Sequence, residues 1–218
     1  MDISQLSNLI NLQKIILRYA KFSDIKPLKL LTKIKELDIS CNKKLSDISI
    51  LNSFINLTKL DISSLSITNI EALKELIKLK ELDLSFNKSI NDISPLSSLI
   101  NLEKLNIRSL SLSNIEPLKG LTKLKKLNLS YNKGINDISP LSSIINMEEL
   151  NLCELNVSNA EPLKELIYLE ELDLSGNNNL SDISPLSNLI YLRKLNLRKT
   201  NVFDYKPVSG IKHLLIYK

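Results

Sequence analysis

Leucine and isoleucine return along the chain in a fixed frame, L-x-x-L-x-L-x-x, whose x positions are mostly polar. In LKELDLS, from Leu79 to Ser85, Leu82 and Leu84 alternate with Glu81, Asp83 and Ser85. That period of two predicts a short strand with one face buried and the other, carrying frame positions three, five and seven, open to water. Position eight lies at the edge of this face. The frame starts at Leu12, Ile34, Leu57, Leu79, Leu102, Leu124, Met147, Leu169 and Leu192, which predicts nine coils. Steps of 22 residues (Leu12 to Ile34) and 23 residues (Ile34 to Leu57) alternate, so the true repeat is a pair of coils 45 residues long. Residues 2 to 11, DISQLSNLIN, match DISPLSNLIY at 182 to 191, while LLIYK from Leu214 begins a tenth strand. Unfinished repeats are therefore expected at both ends of one domain spanning residues 1–218.

Between strands, three of the four even coils carry Ser-Pro-Leu, as in Ser94-Pro95-Leu96. Serine can cap a helical turn and proline fits its first position, which predicts one helical or 3-10 turn per coil, opposite the strand. A single coil cannot bury its own leucines; stacking at about 4.8 Å per coil buries them between neighbours. Frame and period together are the pattern of leucine-rich repeats. Over residues 12 to 213 the chain resembles the short, 22-residue type found in bacterial internalins and in the regulator of type 1 protein phosphatases. The resemblance implies an α/β solenoid, with a parallel β-sheet on the concave face and short helical or 3-10 turns on the convex face. It also implies a non-enzymatic module that binds a protein partner on the concave face. Two alternatives are a regulatory subunit of a protein phosphatase and a structural or self-assembling solenoid.

Even coils carry asparagine at position nine, at Asn42, Asn87, Asn132 and Asn177. In the family resembled, this side chain points inward and ties backbone groups at the bend after the strand, forming a structural ladder. Odd coils depart from the pattern, with Ala20, Leu65, Leu110, Leu155 and Thr200, so two alternating bend geometries are expected.

Composition removes several function classes. The four glycines are dispersed, which argues against a phosphate-cradling loop. No apolar run approaches the ~18 residues of a membrane span, and the opening Met-Asp-Ile-Ser-Gln lacks the basic-then-apolar pattern of a signal peptide. Cys41 and Cys153 fall five coils apart, beyond the reach of a disulfide, so free thiols and a cytoplasmic location are expected. The net charge of +5 is segregated: residues 12–35 carry seven Lys or Arg against one Asp, residues 192–218 seven against one, and residues 36–191 15 against 21. A nucleic-acid binder needs a continuous basic stripe with aromatics, and here it is interrupted. Mutual repulsion of the basic ends predicts a monomer, with end-to-end self-association as salt rises.

Catalytic chemistry finds no support. His213, the single histidine, ends a coil away from any open-face nucleophile, and no Cys/His spacing suits a metal. Asp38, Asp61 and Asp83 form a row at position five, but on an open sheet rather than around a cleft, with Ser40, Ser63 and Ser85 placed to donate hydrogen bonds to them. No cofactor is expected. Partner-binding candidates are of two kinds. Phe86 and Tyr131, at position eight two coils apart, flank Arg108 at position seven of the coil between, and such residues anchor interfaces. Glu149, Glu154, Glu171 and Asp173, followed by Lys194 and Arg198, form a change of sign that can orient a partner.

Overall fold

The computed structural model describes residues 3–218; Met1 and Asp2, the start of the opening segment, lie outside it. Its strands are β1 Lys14–Ile16, β2 Glu36–Asp38, β3 Lys59–Asp61, β4 Glu81–Asp83, β5 Lys104–Asn106, β6 Lys126–Asn128, β7 Glu149–Asn151, β8 Glu171–Asp173, β9 Lys194–Asn196 and β10 Leu215–Tyr217. They form one parallel sheet in chain order. Register is constant, so each frame position stacks on itself: Glu81 pairs with Lys104, Leu82 with Leu105 and Asp83 with Asn106. A slip of one residue would turn the leucine row toward water, and the pattern forbids it.

Each strand spans only positions three to five, shorter than the alternation suggests, although interstrand hydrogen bonds run further. Leu84 N–H donates to the carbonyl of Asn106 and Phe86 N–H to that of Arg108, both at 2.9 Å. The ladder stops at position eight because the chain there enters the left-handed region, with φ of 62° at Phe86 and Tyr131, 60° at Cys41 and 77° at Gly176. Most of these residues are not glycine, so each such bend carries a conformational cost that neighbouring coils must hold in place. Position seven therefore does not belong wholly to the open face: Ser40, Ser85 and Ser130 are buried.

The return segments are 3-10 helices of alternating length, five residues in even coils (Ser94–Ser98) and three in odd coils (Glu116–Leu118). Serine does not cap them as expected from Ser-Pro-Leu. The cap position is Ile93 and makes no side-chain bond; Ser94 is the first helical residue. The cap is instead Asp92, whose Oδ1 accepts from Ser94 N–H at 2.8 Å and Oδ2 from the Ser94 hydroxyl at 2.9 Å. Asp47, Asp137 and Asp182 do the same for backbone N–H in the other even coils, while Asn69, Asn114 and Asn159 do so in odd ones. Placing the acceptor one residue before the cap frees the cap position for isoleucine, so Ile48, Ile93, Ile138 and Ile183 enter the core. These hydrogen bonds hold the carboxyls of Asp47, Asp92, Asp137 and Asp182 below the usual aspartate range.

The core is one continuous apolar column running from Ile3 to Ile211. Within it, the even-coil asparagines are buried at 1% exposure or less. Asn132 Nδ2 donates to Leu129 O at 2.7 Å in its own coil and to Ile107 O at 2.9 Å in the coil before; its Oδ1 accepts from Leu112 N–H at 3.3 Å. Asn177 repeats this, and Asn87 repeats the two Nδ2 bonds while its Oδ1 accepts from Leu65 N–H, two frame positions earlier, at 3.1 Å. At Asn42 the Nδ2 bonds form, but Oδ1 has no partner among the described residues. The first coil bends differently, with a second left-handed residue, Lys21 at φ 58°. Odd-coil bends link backward by main chain, as Ser111 N–H to Ile90 O at 2.9 Å, and by serine hydroxyls, Ser66 and Ser111 donating to Lys43 O and Lys88 O at 2.7 Å, with Leu65, Leu110 and Leu155 filling the asparagine's place. Thr200 partly substitutes, donating its hydroxyl to Leu197 O at 2.7 Å.

Candidate functional site

The concave face is a shallow trough of about 770 Å³ floored by positions three and five, from Arg18 at one end to Tyr217 at the other. Position three forms a lateral charge ladder. Lys14 meets Glu36 at 2.7 Å, Lys59 and Lys104 share Glu81 at 2.7 Å each, Lys126 pairs with Glu149, and Lys194 pairs with Glu171 at 2.5 Å. The two lysines hold Glu81 below the usual glutamate range. These pairs are solvent-exposed, so each contributes at most about 1 kcal/mol.

At position five the chemistry changes along the sheet. Asp38, Asp61 and Asp83 occupy β2 to β4, and each accepts from the serine two residues on: Ser40, Ser63 and Ser85 donate through Oγ at 2.7, 2.7 and 2.6 Å. Burial pushes the Asp61 carboxyl up against the effect of Ser63, and the flanking Asp38 and Asp83 add to it. Arg18, at position seven of the first coil, relieves this crowding by donating through Nε to Asp38 and through Nη2 to Asp61 at 3.4 Å. Asparagine replaces aspartate on β5 to β7, at Asn106, Asn128 and Asn151. Among the described residues, no group of three or more His, Cys, Asp or Glu is arranged to hold a metal ion.

Above β4 to β6 stand Phe86, Arg108 and Tyr131. The Arg108 guanidinium carbon lies 5.4 Å from the Phe86 ring centroid and 4.4 Å from that of Tyr131, so the cation is layered between two aromatic faces. The rings keep 46% and 43% exposure, which leaves their outer faces and edges available. Arg108 Nε is buried and has no hydrogen-bond partner among the described residues.

Of the second candidate group, Glu149, Glu171, Asp173, Lys194 and Arg198 line the same trough, and Glu154 stands outside its lining. Glu149 turns to Lys126 and Glu171 to Lys194, Glu154 reaches Lys133 at 3.3 Å, and Asp173 accepts from Ser175 and, at 3.1 Å, from Asn196. Arg198 lies over the Tyr217 ring at 5.3 Å. Its charges are spent on lateral neighbours.

Two surface features escape the frame-based reading. Ile55, Ile77, Ile100, Ile145 and Ile190, each two residues before a coil start, are at least half exposed and line the sheet's entry edge. Beside them Tyr168 and Tyr191 stack with centroids 6.1 Å apart and planes at 17°. The signal was in the sequence, as β-branched residues at one frame offset, but an isoleucine next to a core leucine reads as core.

No helix among the described residues is long and apolar enough to cross a membrane. No curated protein matches the chain at the level of sequence. The fold has many solved counterparts. It is similar to an internalin (inlF) of Listeria monocytogenes, at 26% identity and a TM-score of 0.81, covering 100% of this chain and 70% of that one. Internalin C2 (inlC2) of the same organism gives 29% identity and a TM-score of 0.83, covering 88% and 83%. A leucine-rich repeat protein of Leptospira interrogans, at 20% identity and a TM-score of 0.79, covers 98% of this chain and 62% of that one and shows the fold alone. Such folds generally mediate protein–protein interaction rather than catalysis. Family models described as Leucine Rich repeats (2 copies) match residues 55–98 and 100–143, and a Leucine Rich Repeat model matches 168–189. With just over half of its residues under these models and the same frame repeated across the rest, the chain belongs to the leucine-rich repeat proteins.

Proposed function

We propose that this protein is a non-enzymatic binding module whose concave face takes a protein partner, anchored by Phe86, Arg108 and Tyr131. The observation that carries this reading is the layered trio. Two half-exposed aromatic rings hold one guanidinium between them, whereas the other arginine–aromatic contact on the sheet, Arg198 over Tyr217, has a single ring. Aromatic and arginine side chains dominate interface energetics because they bury much area at little conformational cost. Here the stack fixes all three beforehand, which lowers the ordering cost of binding. Lysine and glutamate of the position-three ladder lie on the same coils, Lys104 with Glu81 and Lys126 with Glu149, and give the face a polar margin on one side.

The test is capture from a lysate of the source cell by the wild-type protein and by the Phe86→Ala/Tyr131→Ala double variant, read by mass spectrometry. Proteins retained by the first and lost by the second are expected, with a drop of about 1 kcal/mol or more in affinity for each ring removed. Equal retention by a variant with unchanged circular dichroism would overturn the reading.

A further inference from the structure

The three arginines at frame position seven make an internal comparison. Arg18 extends over position five of the next two coils, where it meets Asp38 and Asp61. Arg198 extends over position five of the next coil, where it meets the ring of Tyr217. Arg108 has the same offset, but the next two coils carry Asn128 and Asn151 there. Its guanidinium has no carboxylate among the described residues, and its buried Nε has no acceptor. The neighbouring amides are in the same condition. Oδ1 of Asn128 and of Asn151 is taken by the chain two residues on, while Nδ2 of each makes no hydrogen bond among the described residues. Asn106 and Asn196 differ, for their Nδ2 groups donate to Asp83 and Asp173. The position-five row of the two coils after Arg108 thus offers free donors and no carboxylate, and Lys104 and Lys126 sit side by side at position three of β5 and β6, each turned to a glutamate, Glu81 and Glu149.

We propose that Arg108, with the Nδ2 groups of Asn128 and Asn151, is a receptor for a side-chain carboxylate on an acidic segment of the protein partner. The occupant completes what Asp38 and Asp61 complete for Arg18 within the chain. Arginine suits this role because its planar fork can give two parallel hydrogen bonds to one carboxylate, and the Phe86 and Tyr131 rings hold that plane in place. The inference rests on the concave face being the binding surface and adds the chemistry of what binds.

The test uses the full chain, ¹⁵N-labelled, titrated with a hexaglutamate peptide blocked at both ends. Blocked hexaglutamine and hexaglutamine with a free terminal carboxylate serve as the other arms. Blocked hexaglutamate is expected to shift the Arg108 Nε–H and Tyr131 amide resonances, and neither hexaglutamine peptide is. Asn128→Asp supplies an internal carboxylate where Arg18 has one, at a frame position that accepts aspartate in β2, β3, β4 and β8, so the fold tolerates it. It should weaken binding at least about tenfold, as should Arg108→Gln, whereas Asn196→Asp, the same charge change three coils away, should leave it within about threefold. Unchanged binding in Asn128→Asp, absence of any shift with hexaglutamate, or preference for the free terminal carboxylate each overturns the carboxylate receptor. If it falls while Phe86→Ala/Tyr131→Ala still loses a captured protein, the concave face remains the binding surface; if both tests fail, both readings fall.

Discussion

Asn132 shows how much one side chain can hold. Its amide satisfies two carbonyls in two coils and one N–H, all inside the core. Asn132→Ala leaves those groups buried and unpaired, so a loss of about 1 to 3 kcal/mol in urea unfolding is expected. Leu110→Ala, at the same frame position one coil earlier, should cost about 2 to 5 kcal/mol through a cavity instead. Unfolding of Asn132→Ala at the wild-type urea midpoint would contradict the bonding described. The asparagine row was legible in the sequence because one polar residue type recurs at a fixed place in an apolar frame. Its detail was not: nothing in the residue types told that Lys21 adopts a left-handed bend or that Asn42 Oδ1 has no partner among the described residues. In the same way the nearness of Phe86, Arg108 and Tyr131 followed from the coil count, while the layering of the guanidinium depended on the side-chain torsions.

The 3-10 turn is the element where the sequence misled. Ser-Pro-Leu suggested a serine cap, but the capping oxygen belongs to the Asp or Asn two residues before the first helical residue. The alternation of Asp in even coils with mostly Asn in odd ones held the signal, since both side chains close the same turn. That difference sets a pH dependence. The carboxyls of Asp47, Asp92, Asp137 and Asp182 lie below their ordinary value in the folded chain, so the folded state releases their protons more readily than the unfolded chain does. Their stabilisation is complete above the unfolded aspartate pKa of about 3.9 and is lost as pH falls through the lowered folded values. Asp61 acts in the opposite sense, because burial raises its carboxyl and protonation relieves the cost of the buried charge. Changing the four capping aspartates to asparagine keeps the turn, as Asn69, Asn114 and Asn159 demonstrate, and removes the titration. The variant should therefore lose less stability than wild type between about pH 5 and pH 2, followed by circular dichroism during urea unfolding. Parallel declines in the two proteins would assign the acid sensitivity to other groups.

At the scale of the whole molecule, a coil packs mainly on the coils beside it, the reach of Arg18 to Asp61 two coils on being a surface exception, which makes the solenoid a nearly one-dimensional stack with two alternating interfaces. The core is continuous along it, yet a cavity opened in one coil can relax only into its neighbours. Leu105 and Leu127 are direct partners across β5 and β6, both buried, so Leu105→Ala and Leu127→Ala open into one shared space. Their double variant should depart from the sum of the single losses by about 0.5 kcal/mol or more. Leu60 and Leu172 hold the same frame position five coils apart, on β3 and β8, a separation of roughly 24 Å at the strand spacing. Leu60→Ala and Leu172→Ala should add to within about 0.5 kcal/mol, provided the chain unfolds in one cooperative step. Urea unfolding of the four single and two double variants measures both couplings. A distant pair coupled as strongly as the adjacent one would mean that strain travels the length of the column, and the sheet would then behave as one rigid body rather than as a stack of coils joined only to their neighbours.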